Sequence, residues 1–141
     1  MYCTVEHIIS AMDERLVAQL SNDVNPSQIN IDVLENIINT NNEIIDGYLR
    51  GRYPLPFNKS IPILTEIAIQ LVKYDLYRRR DKVTQLLQDS RKEVINTLIN
   101  IQKGIITLDV GTSETRPTAY AVTAKSGIFD NALNKFNSML C

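Results

Sequence analysis

Residues 30–56 read NIDVLENIINTNNEIIDGYLRGRYPLP, and the spacing of their apolar side chains decides the fold. Val33, Leu34, Ile37, Ile38, Ile44, Ile45, Tyr48 and Leu49 recur every three or four residues, with Asn41 inside the stripe. That period places them on one face of a helix. Asn30 or Asp32 can open it, because a short polar side chain accepts a hydrogen bond from the unpaired amides of a first turn. Gly51 is placed to end it in a left-handed conformation near Arg50, and Pro54 and Pro56 prevent its resumption. Gly47, so close to the helix end, lowers local helix stability. The segment Asp46-Gly47-Tyr48 … Gly51-Arg52-Tyr53-Pro54-Leu55-Pro56 therefore reads as a helix end followed by an extended turn.

The same signals recur on both sides. Downstream, Ser60 and Pro62 start a helix whose apolar positions run from Ile63 to the Tyr74–Tyr77 segment and stop at Arg78-Arg79-Arg80. Asp81 is placed to cap a last long helix carrying Val83, Leu86, Leu87, Val94, Leu98 and Ile101, with Gly104 as its stop. Upstream, Thr4 caps a short helix to about Ser10, and Asp13 a second to Leu20 that buries Leu16, Val17 and Leu20. Residues 21–30 (SNDVNPSQIN) form a polar loop by composition. Beyond Gly104, residues 105–110 are β-prone and residues 111–126 are rich in Thr and Ser. Phe129, Ala132, Leu133, Phe136 and Leu140 then return at helical spacing, a pattern suited equally to a partner or to the chain's own core. The expectation is all-α: a small bundle of three longer helices plus one or two short N-terminal ones over residues 1–110. A flexible or extended C-terminal arm follows over residues 111–141.

Composition narrows the function. A chain of 141 residues, 44% hydrophobic, fits one domain with a modest core of Ile, Leu and Val. The net charge of −1 exerts no general pull toward nucleic acid or anionic lipid. Its distribution is uneven: residues 1–60 carry eight acidic and four basic side chains, residues 61–103 five acidic and eight basic. Cys3 and Cys141, at opposite ends, suit a reducing compartment better than a disulfide framework. No apolar run approaches the ~18 residues of a membrane span, so a soluble chain with no membrane partner is expected.

Catalytic chemistry finds little to work with. His7 is the only histidine, and neither cysteine has a histidine or a cationic cluster beside it. Five scattered glycines make no phosphate-cradling loop. Asp23, Asn25, Ser27, Asp32 and Glu35 hint at a calcium loop, but Gln28 stands where the sharp turn needs glycine and the closing Glu falls one position late. No catalytic residue, cofactor or metal is therefore expected. The cluster Lys73, Arg78, Arg79, Arg80 and Lys82 could meet DNA phosphates, offset a helix dipole, or face acidic residues such as Asp13, Glu14, Glu35 or Glu43 of a neighbouring copy.

The chain resembles a family of Mu-like prophage proteins whose members pair an IDGYL-x-GRYPLP segment with a later YxLYRRR-type segment. Here these are Ile45–Leu49 with Gly51–Pro56, and Tyr74-Asp75-Leu76-Tyr77-Arg78-Arg79-Arg80. The opening Met1-Tyr2-Cys3-Thr4 and the Gly104-x-x-x-Leu108 close also fit, so the resemblance covers residues 1–110. Relatives often carry an Arg-x-Phe-Ser-Arg-like segment in the tail, where this chain has Gly127-Ile128-Phe129-Asp130-Asn131. The resemblance implies a virion morphogenesis protein similar to head–tail connector adaptors. Such a subunit would form a ring on the portal protein, meet tail-completion proteins, and touch exiting DNA without sequence preference. It would sit at the head–tail interface of the virion, having assembled in the host cytoplasm. Arg78, Arg79, Arg80, Lys82, Phe129, Leu133 and Phe136 are the expected partner-binding residues. A small helical regulatory or nucleic-acid-binding phage protein is the alternative.

Overall fold

Three side-chain oxygens mark where the chain turns helical. Thr4 Oγ1 accepts from the His7 amide at 3.4 Å, Asn30 Oδ1 from Val33 at 3.2 Å, and Thr84 Oγ1 from Leu87 at 3.2 Å. Each satisfies an amide that a first turn leaves unpaired. A computed structural model describes residues 1–110. Its helices are α1 (Val5–Ala11), α2 (Glu14–Ser21), α3 (Ile31–Leu49), α4 (Pro62–Arg79) and α5 (Gln85–Gln102). Among the described residues there is no strand, so the β-prone character of residues 105–110 yields to irregular chain. Met1–Leu108 form one compact unit. The expected arm, residues 111–141, lies outside the described residues.

Helix α4 is the centre, packing against each of the other four. Leu64, Ile67, Ala68, Leu71, Val72 and Leu76 are buried along it, and Leu34, Ile38, Ile45 and Leu49 of α3 face the same core. Burying a Leu or Ile side chain contributes about 1.5–3 kcal/mol, so the α3–α4 seam is the main source of cohesion. It contains one polar interruption. Asn41, 1% exposed, donates from Nδ2 to Asp75 Oδ2 at 2.8 Å and to the Ile37 carbonyl at 3.0 Å. Helix α5 packs on α3 and α4 and buries only Leu98 and Ile101 fully.

Several boundary expectations need correction. Asp81 does not cap α5 but closes α4, in a left-handed conformation with φ +54°. The Lys82 amide donates to the Tyr77 carbonyl and the Asp81 amide to Arg78, which satisfies the last carbonyls of α4. Val83 consequently precedes α5, and Leu86 is 75% exposed. Gly104 ends α5 by the same device, with φ +83° and bonds from Ile105 to Asn100 and from Gly104 to Ile101. Gly51, by contrast, is not left-handed: positive φ among the described glycines is confined to Gly104. Helix α3 stops instead where the amides of Arg52 and Tyr53 both turn back to the Leu49 carbonyl. Asp13 occupies the α2 N-cap position without a side-chain bond. Ser60 is not a cap either, since Ile61 holds that place ahead of Pro62. Leu16 is only half-buried.

Candidate functional site

The distinctive segments, far apart in sequence, meet at one end of the bundle. The Tyr2 hydroxyl donates to Asp46 Oδ1, and the Tyr2 amide to Asn42 Oδ1 at 3.2 Å. Arg52 Nε donates to the Gln102 carbonyl at 3.2 Å, and the Leu108 amide to the Tyr53 hydroxyl at 2.9 Å. Phe57 makes T-shaped contacts with both tyrosines, with centroids 6.4 Å from Tyr2 and 5.8 Å from Tyr53. Gly104 faces the Arg52 guanidinium so closely that a Cβ there would lie 2.5 Å from it. The Tyr53-Pro54-Leu55-Pro56 turn, in which the Leu55–Pro56 peptide is cis, thus joins the N-terminal residues, the end of α3 and the exit from α5. A cavity of about 310 Å³ opens beside it, lined by Tyr2, Asp46, Arg50, Leu55, Phe57 and Lys59 among others.

Two groups at this end, the Tyr2 phenol and the Cys3 thiol, are held in their neutral forms. Burial and the hydrogen bond to the Asp46 carboxylate push the Tyr2 phenol well above its ordinary range, so it serves as a donor. Burial pushes the Cys3 thiol up to about 11, the opposite of an activated thiolate. His7 is exposed, and its Nδ1 accepts from the Thr4 amide at 3.0 Å. It fills the place that Glu or Gln takes in the reciprocal cap of a helix start. No three His, Cys, Asp or Glu side chains converge in a way that could hold a metal ion, among the described residues.

At the opposite end the arginine run divides. Arg79 donates to the Leu20 carbonyl at 2.6 Å and to Asp23 Oδ2 at 3.0 Å. Arg80 donates to the Asn22 carbonyl at 2.7 Å and lies 3.1 Å from Asp23 Oδ1. Both therefore clamp the α2–α3 loop to the end of α4. Arg78, with a side chain 67% exposed, bridges to Asp75 one turn back at 3.4 Å, and Lys82 is exposed. Of the residues that hinted at calcium, Asp23, Asn25 and Ser27 serve the loop itself, while Asp32 and Glu35 lie exposed on α3. Asn22 Oδ1 accepts from Val24 and Asn25, Asn25 Oδ1 accepts from Ser27, and Asp23 is taken by the two arginines.

Sequence reasoning did not single out Tyr2, Phe57, Asp75 or Arg91. Tyr2 and Asp75 lay inside the segments quoted for the resemblance, but nothing local pairs them with Asp46 and Asn41 of α3. Arg91 stacks 5.0 Å over the Tyr74 ring across the α4–α5 seam, a pairing that no spacing announces. Of the expected partner-binding residues, Arg78, Arg79, Arg80 and Lys82 lie at one end, whereas Phe129, Leu133 and Phe136 lie outside the described residues. No helix among the described residues is long and apolar enough to cross a membrane.

Comparison with known proteins gives one result of weight. The model of a family described as Bacteriophage Mu, Gp36 matches residues 2–126, which extends beyond residue 110, where the motif resemblance ends. No curated protein matches.

Proposed function

The chain belongs to the Bacteriophage Mu Gp36 family, and from that premise we propose that it is a structural subunit of the head–tail connector. It acts by binding, without turnover, cofactor or metal, as an adaptor between the portal and the tail-completion proteins. The family match over most of the chain is the observation that carries this reading. The geometry supports it in one respect. An adaptor must be recognised from two sides, and large apolar side chains stand exposed at both ends of the bundle. Val24 (93%) and Leu86 (75%) lie at the arginine end, and Met1 (78%) and Ile105 (70%) at the tyrosine end. Exposed apolar groups of this size are the usual anchors of protein interfaces.

The test is co-expression with the portal protein of a Mu-like phage that carries the chain, followed by affinity capture and electron microscopy of the complex. A stoichiometric ring on the portal is the expected result, and a portal that purifies without the chain overturns the assignment. Arg78 and Lys82, the cations of the run left at the surface, suit non-specific contact with exiting DNA. Salt-dependent DNA binding by a chain that ignores the portal would favour the regulatory, nucleic-acid-binding alternative. A hydrolase and nucleotidase screen of the purified protein should find no turnover. Activity that disappears on His7→Ala would refute the purely structural role.

A further inference from the structure

Among the described residues Arg80 and Arg91 each bury an Nε–H without an acceptor, but Arg80 is also bonded to the Asn22 carbonyl and paired with Asp23, which leaves Arg91. It is half-buried, its plane lies over Tyr74, and its Nε–H is buried without an acceptor. No carboxylate of the described residues reaches it. Beside it a recess of about 460 Å³ is walled by Tyr74, Gln88, Arg91, Lys92, Ile95 and Asn96. A guanidinium pre-stacked on an aromatic face has lost much of its freedom and presents a fixed fork of donors, the geometry that a carboxylate accepts in bidentate fashion.

The same chain carries the matching surface elsewhere. Asp32, Glu35 and Glu43 are exposed on α3. At about 100° per residue they fall within one side of that helix, and none is in an ion pair with another described residue. We propose that the Tyr74–Arg91 recess is a carboxylate socket that receives this acidic side of α3 from a second copy of the chain. Socket and acidic face are different surfaces, so the contact is heterologous and can propagate from copy to copy, closing if the rotation allows. Phosphate is the poorer occupant. A nucleic-acid backbone needs a row of cations, whereas Lys92 alone accompanies Arg91 here, and Ile95 with the Tyr74 ring makes much of the wall apolar.

This inference deepens the adaptor reading by naming the contact between subunits, and its test uses the full chain alone, so that its failure is separable from a failure to bind the portal. Sedimentation from micromolar to millimolar concentration would be measured for wild type, Arg91→Gln, Arg91→Glu and Glu35→Arg/Glu43→Arg, with circular dichroism confirming each fold. The Arg91 Nε–H resonance would be followed on concentration. Wild type should self-associate and shift that resonance. Each variant should associate roughly tenfold more weakly or less. A mixture of Arg91→Glu with Glu35→Arg/Glu43→Arg should regain association that neither shows alone, because the reversed socket meets the reversed face. An unshifted Arg91 resonance, or a mixture no better than its components, overturns the proposal. So does a resonance that moves only on titration with duplex DNA, which would assign the recess to phosphate.

Discussion

Where Tyr2, Asp46, Tyr53 and Leu108 meet, the bundle is held by phenol hydroxyls and aromatic edges. Where Asp23, Arg79 and Arg80 meet, it is held by two guanidiniums sharing one carboxylate and the carbonyls of Leu20 and Asn22 at the end of α2. The first end joins segments that are distant in sequence mainly through phenol and amide donors, with the Arg52 guanidinium as a charged addition. The second fastens a short loop with charge. Neutral fasteners at half-buried sites ignore salt and respond to alkali, whereas a carboxylate that is 61% exposed is screened by salt and contributes little by itself. The two ends should therefore fail under different conditions.

The largest expected effect breaks the neutral end. Tyr53→Ala removes an aromatic neighbour of Phe57 and the acceptor for Leu108, and urea unfolding should record a loss of about 3 kcal/mol. Tyr53→Phe should cost only about 1 kcal/mol. At the charged end, Arg79→Ala should cost about 2 kcal/mol, most of it from the bond to the Leu20 carbonyl. Its loss should be larger than that of any Asp23 substitution, and only the Asp23 portion should diminish in high salt.

Alkali tests the difference directly. Tyr2 and Cys3 both have folded-state values raised above their ordinary ones, so the native chain holds these protons more tightly than the unfolded chain. The stability they confer is fully present below the ordinary thiol value of 9.0 and declines as pH rises toward about 11. The expected decline from the thiol is about 2 kcal/mol by the upper end of that window, and Cys3→Ala should flatten it. An identical pH profile in that variant would remove the thiol from the account. Gly104→Ala should cost about 1–2 kcal/mol for its left-handed conformation, while Gly51→Ala should change stability by less than about 0.5 kcal/mol. The smallest effect sharpens the charged end. Arg78→Ala, which loses only an exposed bridge, should fall within about 0.5 kcal/mol of wild type by the same measurement.

Much of this architecture was legible because helices announce themselves locally. The apolar period of α3, the oxygen of Asn30 and the proline at the start of α4 all act within a few residues, and each appears where the sequence puts it. Failures arose where two neighbouring signals competed. Asp81 satisfies the pattern for opening a helix, but a left-handed stop for α4 was also needed there, and Thr84 remained to cap α5. Gly51 matched the stop pattern, yet α3 ends by a turn that leaves it dispensable. The arginine run illustrates the limit at the site itself. Three consecutive arginines look like one surface, but a helix end points them in different directions, and only the α2–α3 loop, out of reach of any local pattern, decides which of them remain free.

The polar pair at the centre of the α3–α4 seam has a consequence for alignment. Two helices lined with Ile and Leu could slide past one another by a turn, about 5.4 Å, and still match apolar to apolar. Such a slip would carry Asn41 away from Asp75, at present 2.8 Å apart, and strand the amide among hydrocarbons. The bond works as a key in a keyway, excluding neighbouring registers more than it deepens the native one. An Asn41→Leu chain could thus gain hydrophobic burial while losing its single alignment, visible as doubled or broadened amide resonances along α3 with little change in helical content.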